Sequence, residues 1–125
     1  MLDYARQRAS AALDDPRTVV LITSGPAGVQ TGEFRCEVFD LSLYLLIPQT
    51  SDHLFNLEHE STVTLLTTTC ELKGQARPVS RAASDLNVSL CHEPDAEWCA
   101  LVRVEICQVQ IRGEDGWRNR ETIDL

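Results

Sequence analysis

Leu43-Tyr44-Leu45-Leu46-Ile47-Pro48-Gln49-Thr50-Ser51-Asp52-His53-Leu54-Phe55-Asn56-Leu57 is the stretch whose reading decides the fold. Its first five residues are an unbroken apolar run rich in strand formers, the pattern of a strand covered on both faces. Pro48 ends that strand, because proline brings no N–H to a ladder. Thr50, Ser51 and Asp52 then offer three successive N-cap side chains, and Leu54 and Leu57 follow at helical spacing to face a core. A strand that feeds a hydroxyl-lined helix start brings free backbone N–H groups and the positive dipole end to one place, which suits an anion. The competing reading is simpler: Ser51 caps its own helix and does nothing more.

Length and composition set the outer bounds. A chain of 125 residues is one domain's worth, enough for a single core. At 43% hydrophobic and 24% charged the composition is that of an ordinary globular protein. No run of 18 apolar residues occurs, and Met1-Leu2-Asp3-Tyr4 does not open a charged and then apolar leader. The expectation is a soluble, cytoplasmic protein with no membrane span. The net charge of −8 would repel nucleic acid and anionic membrane surfaces alike.

The five cysteines, Cys36, Cys70, Cys91, Cys99 and Cys107, are odd in number and form no C-x-x-C pair. Reduced, buried thiols are expected rather than a disulfide frame. Cys91, Cys99 and Cys107 recur at near-regular spacing with His92 beside the first. Cys99 and Cys107 fall within one strand, too far apart along it to share an ion, so no metal is expected.

Outward from the central stretch, the pattern predicts a short helix over 2–13, ended by Asp14-Asp15-Pro16. A β-branched strand follows at 18–23, then a turn by composition at 24–28. Residues 29–38 alternate, with Phe34, Cys36 and Val38 on one face and Glu33, Arg35 and Glu37 on the other. Such alternation is that of a half-exposed antiparallel strand. Asp40 marks a tight turn into the central strand. Further strands are predicted at 62–68 and 70–77, where Gly74 implies a bulge or a close backbone approach. A weak helix is expected over 82–92, and the longest strand over 98–111. In that strand the apolar register passes from Trp98, Ala100, Val102, Val104 and Ile106 to Cys107, Val109 and Ile111, which a bulge or barrel corner produces. From Gly113 the chain reads as a polar tail. The fold class is therefore mainly β with short helices, and a six-stranded antiparallel barrel is the economical solution.

This order, together with the central stretch, resembles the pyridoxamine 5′-phosphate oxidase-like, FMN-binding split barrels. The likeness runs over residues 14–111. It rests on the Val19-Val20-Leu21-Ile22-Thr23 strand, the glycine-containing turn, a third strand ending in Thr50-Ser51, the helix with Asn56-Leu57, and the Val63-Thr64-Leu65-Leu66 and Gly74 strands. The resemblance implies a homodimer with a flavin in each of two grooves at the interface, its phosphate near the start of the helix. Haem or a deazaflavin are the minor variants of the cofactor. Carried over by position, the family's hydroxyl and basic residue fall on Ser51 and His53, with Thr50 beside them. Arg35 on the preceding strand is a further candidate, whose plain alternative is an exposed strand charge paired with Glu33 or Glu37. Trp117 is a flavin-stacking candidate by analogy alone. Many members carry Lys or Arg where this chain has His53, with Asp52 alongside. A histidine in that role would be a cation only in mildly acid solution, so anion binding should strengthen there.

No nucleophile elbow and no histidines at metal spacing are present; His53 and His59 stand six apart, on different helical faces. Two functions from different classes remain. One is a flavin-dependent oxidoreductase of unread substrate, in which the cofactor does the chemistry. The other is a cofactor-free split-barrel binding or interaction module. Thr50-Ser51 speaks for the first and Asp52-His53 for the second.

Overall fold

The computed structural model describes residues 2–13, 18–80, 89–92, 94–113 and 116–125. Helix α1 (Leu2–Ala12) leads into strands β1 (Thr18–Thr23), β2 (Gln30–Phe39) and β3 (Ser42–Pro48). Helix α2 (Asp52–Leu57) separates these from β4 (Thr62–Leu66) and β5 (Cys70–Pro78). Two 3₁₀ turns, Ser89–His92 and Pro94–Trp98, then precede β6 (Cys99–Gly113) and β7 (Gly116–Asp124). The strands lie in the order β3-β2-β1-β4-β5-β6-β7, every pairing antiparallel, and β6 pairs back onto β3. The first six therefore close into the expected barrel, and β7 is an added seventh strand.

Closure is carried by β6, which is long enough to serve three neighbours. Residues 99–105 pair with β3, residues 102–111 with β5, and its last turn of ladder with β7. Leu21, Leu43, Leu45, Leu65, Leu72 and Val104 fill the interior and are fully buried. The central strand is covered on both faces, as its composition requires. Leu43, Leu45 and Ile47 point into the barrel, while Tyr44 and Leu46 lie in an outer cluster with Leu90 and Leu101. Helix α1 lays Ala5, Ala9 and Ala12 against the main core. Asp40 takes a left-handed φ of 58° in the β2–β3 turn, a conformation that aspartate tolerates better than most side chains.

The apolar register switch predicted for the last strand is a bulge. Lys73 faces Gln108 and Gly74 faces Ile106, so Cys107 is the extra residue on β6. Two sequence expectations about this strand change accordingly. Cys107 is exposed instead of buried, because the bulge turns it outward, and its thiol donates to the Lys73 carbonyl at 3.3 Å. Trp98, expected to begin the buried face, is 71% exposed, because it ends a 3₁₀ turn and not a strand. Cys36 and Cys70 are buried as expected, Cys91 and Cys99 are half-buried, and none of the five is in a disulfide.

The polar tail is corrected too: residues 116–124 form β7, joined to β6 through its backbone ladder, with Ile123 buried. Backbone pairing needs no apolar alternation, and so left no mark in the pattern. Strand β4 stops at Leu66, short of the predicted end. Thr67 Oγ1 there accepts from the N–H groups of Cys70 (2.9 Å) and Thr69 (3.3 Å), folding the chain into a turn. The helix expected over 82–92 falls mostly outside the described residues, and 89–92 is a 3₁₀ turn.

Gly74 makes the close approach that a glycine inside a strand implies. A Cβ there would collide with the Glu105 carbonyl oxygen and lie 2.8 Å from Val104 Cγ1. Gly74→Ala should therefore cost about 1–3 kcal/mol through overpacking at the bulge, read as a fall in urea midpoint at unchanged slope. An unchanged midpoint would show that the barrel wall yields there without strain.

Candidate functional site

Helix α2 is six residues long, too short to hold its shape alone. It begins at Ser51, in extended conformation, whose side chain accepts from the His53 N–H at 3.2 Å. The simpler reading of Ser51, a cap on its own helix, is thus observed. His53, Asn56 and Leu57 form the buried face, at i, i+3 and i+4, so two of its three residues are polar.

These two side chains end in one hydroxyl, Thr23 Oγ1, which is itself buried at the end of β1. His53 Nδ1 lies 2.8 Å from it, and Asn56 Nδ2 donates to it at 3.2 Å. Asn56 also donates to the Gly28 carbonyl (2.9 Å) and accepts from the Ala27 N–H (3.0 Å). A wholly buried amide is thereby satisfied on both sides, as burial demands. It holds the β1–β2 turn and α2 together. Gly25 is required by the same contact, since a Cβ there would stand 2.8 Å from Asn56 Oδ1. Gly28 takes a left-handed φ of 83° to complete the turn.

The His53 ring is 5% exposed and meets the Phe34 ring edge-on, centroids 5.4 Å apart and planes at 80°. Burial pushes its pKa below the ordinary 6.5, opposed by a hydrogen bond with the Thr31 backbone and by the Asp52 charge. The ring is neutral at pH 7. Desolvation outweighs Asp52, and the ring faces inward onto Thr23.

The other candidates stand outside. Thr50 is exposed in the turn that joins β3 to α2, and Ser51 is half-exposed beside it. Arg35 is exposed on β2, one residue before Cys36, the partner of Leu45 on β3. Phe34 and Cys36 face the core, so Arg35 points to the outer face that β2 shares with β3. The structure thus brings Thr50 and Ser51 together at the helix start and puts Arg35 on the adjoining strand, while His53 serves the interior. The side chain of Trp117 lies outside the described residues.

On that outer face, Arg103 (β6) faces Tyr44 on one side and Arg77 (β5) on the other. Glu105 lies between the two arginines, 3.2 Å from Arg103 and 4.0 Å from Arg77. Arg103 also donates to Ser42 Oγ at 3.2 Å. These pairs are exposed and contribute little to stability. Next to them an open groove of about 440 Å³ is lined by Gln49, Val79, Ser80, Glu97, Cys99 and Leu101, among others. The Gln49 N–H, donating to the Trp98 carbonyl at 3.0 Å, fixes its floor. Exposed Trp98 adjoins this region in sequence.

Sequence reasoning noted Asn56 only as part of a motif and did not see its pairing with Thr23. The signal was present: an amide on the inward face of a short helix, three residues after a histidine. Arg77 and Arg103 left no signal, because only the barrel register sets them side by side. Among the described residues no cluster of three or more His, Cys, Asp or Glu could hold a metal ion. No helix among them is long and apolar enough to cross a membrane.

No protein-family model and no curated protein matches the chain by sequence. Its fold does match solved structures. General stress protein 26 from Bacillus anthracis superposes with a TM-score of 0.71 at 17% identity, over 98% of this chain and 99% of that one. A Clostridium acetobutylicum protein related to general stress protein 26, of the pyridoxinephosphate oxidase family, gives 0.73 at 11% identity over 98% and 96%. An FAD-binding protein from Mesorhizobium loti gives 0.63 at 12% identity over 82% and 90%. The fold is that of the pyridoxamine phosphate oxidase-like split barrels.

Replacing Asn56 with Ala would remove a partner of the buried Thr23 hydroxyl, of the half-buried Ala27 N–H and of the exposed Gly28 carbonyl. The expected loss is about 1–3 kcal/mol, carried mainly by the buried Thr23 contact, since water can reach the other two partners. Denaturant unfolding measures it; a loss below 1 kcal/mol would mean that water replaces the amide.

Proposed function

We propose that this chain binds a flavin nucleotide, FMN above all, in a groove between two copies, and works as an oxidoreductase on a small molecule. The observation that supports the reading is the closed split barrel itself, matched nearly end to end by general stress protein 26 and over 82% of this chain by an FAD-binding protein. Trp98, exposed between the groove residues Glu97 and Cys99, supports it as well, since a lone barrel gains by covering it.

The residues present fit such a ligand at two points. Leu46 and Val79 offer half-buried apolar surface beside a groove, and Thr50, Ser51 and Arg35 offer donors for a phosphate. These three would hold the phosphate; His53 would support α2 from within. When bound, the isoalloxazine ring would supply the redox chemistry, so the protein's own task is binding, orientation and exclusion of water. Haem or a deazaflavin in the same groove is the minor variant. Five cysteines with no disulfide among them accord with action in the cytoplasm.

A second reading, a cofactor-free interaction module, is favoured by one observation: His53 turns inward onto Thr23, so the helix start itself presents no basic side chain to a phosphate. Two measurements decide between them. FMN added to the purified protein should stay with it on a desalting column, its fluorescence quenched, and Arg35→Ala should weaken binding about tenfold, the loss of one charged hydrogen bond. A colourless protein that retains no FMN supports the interaction module. Light scattering should give twice the 14.0 kDa chain mass at micromolar concentration; a monomer would remove the interfacial groove.

A further inference from the structure

We propose that His53 is a pH-sensitive latch: protonation of its ring releases α2, and the turn carrying Thr50 and Ser51, from the β1–β2 hairpin. The inference does not rest on the flavin reading, because every group in it belongs to this chain.

The hydrogen-bond directions follow from counting protons. Asn56 Nδ2 can only donate, so Thr23 Oγ1 accepts from it. The Thr23 hydroxyl is buried and its own proton needs an acceptor, and His53 Nδ1 at 2.8 Å is that acceptor. The ring's bond with the Thr31 backbone favours its charged form, the mark of a carbonyl acceptor, which places the remaining ring proton on Nε2. This tautomer satisfies every atom while the ring is neutral.

A proton added to Nδ1 undoes the arrangement. Nδ1–H and Asn56 Nδ2–H would then both aim at Thr23 Oγ1, whose own proton would lose its acceptor in a buried site. A positive charge would also enter an enclosure formed by Thr23 on β1, Gly32 and Phe34 on β2, and Asn56 on α2. Among the described residues Asp52, exposed at the start of α2, is the one charged group whose field acts on the ring, and it does not offset the desolvation. The opened state offers the ring water and its ordinary pKa of about 6.5. The latch therefore contributes its full stabilisation above about pH 6.5. It weakens as pH falls from there toward the lower midpoint of the closed state.

Release is local because the barrel does not need α2 to close. Only Leu54 and Leu57 join its two polar side chains in holding six residues to the body. Such a segment opens at a lower free energy than the β4–β5–β6 ladder. Acid would thus disorder the edge that carries Thr50 and Ser51 and leave the barrel standing.

The test uses the full chain without ligand, from pH 7.5 to 5. His53 ring resonances should titrate with a midpoint below 6.5. Amide protons of Leu54, Glu58 and His59, bonded within or just after α2, should lose protection by up to about tenfold per pH unit below 6.5, once intrinsic exchange is corrected for. Val63 and Leu72 should keep theirs. In His53→Gln the helix should exchange at a rate independent of pH over this range. A His53 midpoint at or above 6.5 overturns the proposal, and so does simultaneous loss of protection in α2 and the core. Persistence of the pH-dependent loss in His53→Gln overturns it too. The wild-type titration stands by itself if that variant does not fold. A flavin that fails to bind would leave all of these readouts in place.

Discussion

One strand carries the closure on which the rest of the molecule depends. β6 must reach β3 with its first half and β5 with its second, at registers that a flat, regular strand could not satisfy together. The bulge at Cys107, opposite Gly74, supplies the bend. Without it the inward set Val102, Val104 and Ile106 would pass to the outside beyond that point, since a one-residue slip reverses every side chain. With it, Val109 returns to the interior and is fully buried. The closed wall then leaves two surfaces for other purposes: the outer face of β2, β3, β5 and β6, and the small platform on which α2 sits.

The two surfaces are built by different physics. The outer face combines apolar side chains with arginines that the ladder alone sets opposite one another. The α2 platform is held by a polar network. One hydroxyl, one amide and one imidazole satisfy each other in a nearly dry site, and such networks are sensitive to the loss or gain of a single proton. A helix fixed mainly by apolar contact would not share that sensitivity. The histidine at position 53, which is not a permanent cation, is also what makes the platform responsive to pH.

Much of the barrel was legible because its signals are local. The apolar run 43–47, the alternation of 30–39, the glycine at 74 and the switch after Ile106 each record a strand, a face or a bulge in adjacent residues. β7 was not legible, since a strand bonded chiefly through its backbone requires no pattern of side chains. Trp98 misled for the opposite reason: alternation continued through it by chance, while the chain there was a 3₁₀ turn.

The sequence by itself determined the fold class, the place of the helix start and its hydroxyls, and the position of the bulge. All of these follow from propensity and periodicity over a few residues. Only the tertiary structure decided which way His53 faces, and hence that burial lowers its pKa. That choice depends on Thr23 and Phe34, thirty and nineteen positions away in the chain, and on the desolvation their packing imposes. It likewise decided that Arg77 and Arg103 stand side by side, because register between distant strands is set by the closed barrel and written in neither strand alone.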